Sequence, residues 1–138
     1  MPLNYTAIIV ATVLQFIVGA IWYSALFGKL WGKIHGFDKL SKEVQQKMMS
    51  EMGPYYGVQL FVTLLTSFVF ELFIANLPPD WNPFGMAAFF WIGFTVPAQV
   101  SAVIFGGTPK EWMVKKIAVQ SGAALMCLQV AAATFHFL

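Results

Sequence analysis

Residues 57–77 read GVQLFVTLLTSFVFELFIANL, a stretch with one charged side chain, Glu71. A helix needs roughly 20 predominantly apolar residues to cross the hydrocarbon core of a bilayer. This stretch is long enough, and it lacks the alternation of a half-buried strand. It predicts a transmembrane helix. Three further stretches pass the same test, about 5–27 before it and about 84–105 and 114–138 after it. All four are too long for the strands of a membrane barrel. The fold class expected is all-α, an integral membrane four-helix bundle forming a single transmembrane domain over residues 1–138.

Composition agrees. The chain is 59% hydrophobic and 10% charged, whereas a soluble domain carries about 25% charged residues. A soluble domain of this size leaves too much surface exposed to hide so much apolar area, so lipid is the solvent that fits. The first stretch lacks the basic leader and the small-x-small cleavage pattern of a signal peptide, and is expected to stay in the membrane.

All eight basic residues are lysines, and they fall in two loops. Lys29, Lys33, Lys39, Lys42 and Lys47 lie in the 28–56 connection; Lys110, Lys115 and Lys116 lie near the 106–114 connection. The positive-inside rule places both loops in the cytoplasm and both termini on the non-cytoplasmic side. Tyr5, Trp81 and Phe137 then sit at the outer interface, and Trp31, Tyr55, Tyr56 and Trp112 at the inner one. No basic stripe faces a groove, so nucleic acid is not an expected partner.

In the long 28–56 connection Leu40, Val44, Met48 and Met52 recur every four residues, with Lys39, Lys42, Glu43, Gln46, Lys47 and Glu51 on the other faces. This predicts an amphipathic helix over about 38–52, begun near Asp38 or Ser41 and stopped by Gly53-Pro54. It is expected to fold beneath the bundle, with a membrane-surface or partner-binding role as the alternative. In the second connection Thr108 is expected to cap the fourth helix, with Pro109 at its first position and Glu111 three residues after the cap.

Within the second stretch Gln59, Thr63, Ser67 and Glu71 follow one another at a spacing of four, a polar row along one helix face. Lipid does not satisfy such groups, so the row is expected to face protein or water. Interhelical hydrogen bonding is the first reading and a polar path the second. The first stretch offers Ala7, Ala11, Gln15, Gly19 and Tyr23 at the same spacing. The third offers Gly85, Phe89, Gly93, Pro97 and Ser101, and the fourth Gln120, Ala124, Leu128, Ala132 and His136. Such small-residue rows are expected in the packed interior or at a subunit interface. Pro97 is expected to kink the third helix. Gln15 and His136 are the candidate partners of the polar row, His136 because it lies at a depth compatible with Glu71.

Catalytic patterns are missing. There is no phosphate-binding glycine loop, dinucleotide fingerprint or paired His or Cys metal pattern. His35, His136 and Cys127 are too few and too dispersed for zinc. No catalytic residue, no metal and no cofactor is expected, and the reading leans against an enzyme.

Gly19-Ala20-Ile21-Trp22-Tyr23-Ser24, followed by Phe27-Gly28-Lys29-Leu30-Trp31, resembles the Gly-x-x-Trp-Tyr-Ser and Phe-Gly-x-x-Trp pattern of a family of small, mostly bacterial membrane proteins catalogued as domain of unknown function 1761. Trp91-Ile92-Gly93-Phe94-Thr95-Val96-Pro97 is a second match, and the four-span layout with a longer first loop agrees over nearly the whole chain. Ala25 departs from the proline often found after the serine. The resemblance implies a bacterial inner membrane and the same fold, and supplies no mechanism. Trp22, Tyr23 and Trp31 are expected to anchor the inner interface, with a vestibule lined by Trp22, Tyr23, Ser24 and Gln59 as the alternative. The function expected is that of a structural or accessory protein in the lipid bilayer, self-assembled as a homo-oligomer or joined to other membrane subunits. The alternative is a small oligomeric channel or transporter with a polar path along the second helix.

Overall fold

The computed structural model describes residues 3–138. Four helices long and apolar enough to cross a membrane run over Tyr5–Leu26, Gly53–Ala75, Pro83–Ile104 and Lys110–Phe137. No strand occurs among the described residues. The protein is an all-α four-helix membrane bundle.

The first span is α1 (Tyr5–Ile21), continued by a wider π-helical segment, Trp22–Leu26. Asn4 starts it, its Oδ1 accepting from the Ala7 amide at 3.0 Å and so satisfying one of the amides a helix start leaves free. A short α2 (Gly28–Ile34) leads through Gly36, whose φ of 71° is the left-handed turn that glycine adopts freely. A single helical turn, Phe37–Lys39, and then α3 (Lys42–Ser50) follow.

The second span is α4 (Gly53–Ala75). It begins earlier than the sequence suggests because Gly53-Pro54 ends nothing. Pro54 sits in the first turn, where a missing N–H costs no hydrogen bond. The third span is α5 (Pro83–Phe90), a second π segment (Trp91–Thr95) and α6 (Val96–Ile104). Asn82 caps α5 by accepting from the Phe84 amide at 2.8 Å. The π segment takes the chain up to Pro97, so the irregularity expected at that proline is wider winding in the turn before it. The fourth span ends in α7 (Met113–Phe137).

α7 is the hub, packed against the first and third spans, while α4 packs chiefly on α1. The core gathers Ala11, Met86, Ala87, Ala131 and Ala132 around Phe70. Small residues on three spans let the backbones close in, and Phe70 fills the remaining volume. Its ring meets Phe90 edge-on at 6.1 Å and Phe135 at 6.0 Å, and Phe73 meets Phe90 at 4.8 Å. These contacts join the second and third spans toward the lysine-free end. At the other end every residue from Gly53 to Val62 is exposed.

Three expectations are corrected. The amphipathic helix does not fold beneath the bundle: Leu40, Val44, Met48 and Met49 on and beside α3 are 38–57% exposed. Gln45 explains its position, since its Nε2 donates to Phe37 O at 2.8 Å and Leu40 O at 3.3 Å, tying α3 back to its own loop. Thr108 is not a helix cap, because its hydroxyl has no hydrogen-bond partner. The row Gly85, Phe89, Gly93, Pro97 and Ser101 is exposed throughout. The third span turns Met86 and Ala87 inward instead.

Candidate functional site

The polar row of the second span meets the first span. Ser67 is fully buried. Its hydroxyl donates to Thr63 O at 2.9 Å, the usual way serine satisfies itself in a helix. Its oxygen then accepts from Gln15 Nε2 at 2.7 Å. Thr12 Oγ1 lies 3.0 Å from the same oxygen and 2.7 Å from Ile8 O, and its one proton serves either. Gln15 Nε2 also donates to Ala11 O at 3.1 Å. From the fourth span the Cys127 thiol donates to Gln15 O at 3.6 Å. The cluster is a buried polar clasp joining two spans and touching a third.

Thr63 is buried and donates to Gln59 O at 2.7 Å. Gln59 is exposed and donates to Thr63 Oγ1 at 3.3 Å, remaining with its own helix. The row is therefore a clasp along its middle and an outward-facing amide at its lysine-side end. Gln15 is the partner the sequence suggests. Thr12 was not legible in the rows drawn at a spacing of four; it lies three residues before Gln15, which also shares a helix face.

Glu71 lies one turn beyond Ser67 toward the lysine-free end and is 7% exposed. Its Oε2 has no hydrogen-bond partner. His136 is not its partner. That ring is exposed and packs on Phe84 at 5.8 Å and on Phe137 at 4.8 Å.

The two aromatic motifs share a construction. Trp22 and Trp91 each open a π segment. Trp22 Nε1 donates to Val119 O at 2.9 Å, and Trp91 Nε1 donates to Ser121 O at 2.7 Å. The first and third spans therefore latch onto neighbouring carbonyls of α7 from two sides. Gly122 makes room for one latch: a Cβ there would stand 2.7 Å from Trp22 Cζ2. Gly122 was missed in the sequence, although it is the one glycine in the fourth stretch.

The remaining motif residues brace the end of the first span. Tyr23 packs edge-on to Trp31 at 4.8 Å, and Trp31 on His35 at 4.3 Å. A Cβ on Gly28 would press the Tyr23 carbonyl oxygen at 3.2 Å. Ser24 is exposed and donates to Ala20 O at 2.5 Å. Trp22, Tyr23, Ser24 and Gln59 turn to separate neighbours and are not joined around a vestibule. Gly19 and Gly93 have nothing within 4 Å of where a Cβ would stand. Among the described residues no three His, Cys, Asp or Glu gather as metal ligands.

A model of a protein family of unknown function, DUF1761, matches residues 6–136. Neither the curated proteins nor the solved structures offer a match.

Proposed function

The chain belongs to the DUF1761 family, which brings no activity with it, and we propose from its own surfaces that it is a structural or accessory membrane protein. It assembles with copies of itself or with other membrane subunits, its lysine-bearing loops on the cytoplasmic side. The observation that carries this reading is the unpacked half of the second span. Every residue from Gly53 to Val62 is exposed, Gln59 among them. An amide directed at lipid is costly, whereas at a helix–helix interface it finds partners. The outward face of the third span, with Gly85, Gly93 and Ser101 exposed, offers the close approach such an interface uses. Native mass spectrometry of the protein gently extracted from its own membrane tests the proposal. A discrete homo-oligomer or a complex with other subunits is expected; a lone monomer overturns it.

One observation favours a second reading, transport. Glu71 is a buried carboxyl with an unpartnered oxygen inside a span, and intramembrane acids commonly mark ion or proton paths. The satisfied bonds of Thr12, Gln15 and Ser67 favour a dry clasp over a wet path. Liposomes carrying the protein are therefore expected to pass protons and monovalent cations no faster than empty ones, with Glu71→Gln changing nothing. A leak that Glu71→Gln abolishes and Thr63→Ala retains would put transport first.

A further inference from the structure

At the lysine-bearing end, the close of α2, the chain after it and the region from Gly106 to Lys116 line an open pocket of about 380 Å3. That lies within the range of small-ligand sites, roughly 300–1,000 Å3. Lys33, Lys39 and Lys116 line it, with Glu111 the one carboxylate among its lining residues. The lysines come from chain segments far apart in sequence, so the fold itself brings them together. Three lysines at one hollow give it a positive potential that favours an anion.

A second observation points into the same place. Thr108 lines the pocket, is 8% exposed, and has a buried hydroxyl with no hydrogen-bond partner. A buried hydroxyl left unpaired is costly, and here the usual remedy of capping its own helix is not taken. Thr108 stands just before the helical stretch Lys110–Phe137, whose start favours negative charge. The Lys116 Nζ lies 5.9 Å from the centre of the Trp31 ring.

We propose that this pocket binds a phosphate group, presented by an anionic phospholipid headgroup or by a soluble phosphate compound. Lysine suits this ligand as a point charge, and basic pockets between spans at the membrane surface are a known mode of headgroup capture. The bound phosphate bridges Lys33 and Lys39 of the first connection to Thr108 of the second and Lys116 of α7, fastening the two helical hairpins together at this end.

The test uses the full chain in detergent, titrated separately with phosphatidylglycerol, phosphatidylcholine and inorganic phosphate, with bound ligand read by native mass spectrometry. Phosphatidylglycerol is expected to bind at least about tenfold more tightly than phosphatidylcholine. The double variant Lys33→Gln/Lys116→Gln is expected to weaken it by about tenfold or more, and Thr108→Val by a smaller factor. Lys42→Gln/Lys47→Gln, on exposed α3 outside the pocket, is expected to leave it unchanged. Displacement of the lipid by inorganic phosphate assigns the site to soluble phosphate compounds; its failure assigns it to the bilayer headgroup. The proposal is overturned if the pocket variants bind as the parent does, or if the α3 variant loses as much. Should the double variant fail to fold, Lys39→Gln, at an exposed side chain, serves for the same comparison.

Discussion

Gly122→Leu is expected to force the first span away from α7 and to destabilise the bundle by about 2–4 kcal/mol. Even the first added carbon would stand 2.7 Å from Trp22 Cζ2 and 3.1 Å from Cη2. The indole is rigid and pinned by its 2.9 Å bond to Val119 O, so it does not yield by changing the tip of a flexible chain. It has to leave its seat, and the bond goes with it. Overpacking typically costs about 1–3 kcal/mol, and a lost interhelical hydrogen bond about 0.6–2 kcal/mol more. Unfolding of the purified protein in mixed micelles of increasing denaturing detergent gives the readout. Gly122→Ala should lower the midpoint less than Gly122→Leu. Trp22→Phe should make Gly122→Ala nearly harmless, because the clashing atoms are then gone and the two changes are not additive. An unchanged midpoint in Gly122→Leu would mean that the latch does not hold the spans.

Ser67→Leu is expected to be comparably severe, by about 3–4 kcal/mol. The side chain is fully buried between the first two spans and has the Gln15 amide at 2.7 Å and the Thr12 hydroxyl at 3.0 Å. Leucine removes the acceptor and adds volume where there is none to spare. Ser67→Ala removes the acceptor alone and should cost about 1–2 kcal/mol. Separated spans remain helical in the membrane, so circular dichroism is the wrong readout. Spin labels at the exposed positions Val13 and Val62, in a Cys127→Ser background, report the distance between the two helices. A broadened distribution in Ser67→Leu and a narrow one in Ser67→Ala is the expected pattern. A narrow distribution in both would show that the clasp contributes little.

The fold was legible because bilayer thickness acts on composition and length alone. Four apolar stretches could be recognised without knowing any contact between them. The polar row was legible in part for a related reason: lipid excludes Thr63, Ser67 and Glu71 from its side, so the face they share had to be turned inward, and all three are buried. Gln59 shows where that reasoning stops, since it shares their spacing and is nevertheless turned outward. The third span shows a second limit. Glycine and serine fit an interior and an outer face equally well in a solvent as apolar as the core, and spacing alone does not choose between them. The tryptophan latches were hidden because their acceptors are backbone carbonyls, which every residue carries. The pairing of Glu71 with His136 rested on depth alone, and depth says nothing about azimuth around the bundle.

A π-helical segment takes up more residues per turn than the α-helix on either side of it. Trp22–Leu26 and Trp91–Thr95 are therefore places where the first and third spans have one residue in hand. Removing a residue from either segment would restore ordinary winding and leave everything beyond it at nearly the same azimuth, because the wider turn already spends the residue that ordinary winding does not need. In the first span the loss would fall on the segment itself, where the Trp22 ring packs on Phe27 at 4.7 Å and Tyr23 on Trp31 at 4.8 Å. Chain length is thus a property of these two motifs in its own right, separate from the identity of any side chain in them: a residue added or removed elsewhere in a span turns everything beyond it by about 100°, whereas here the extra residue is already absorbed in the winding.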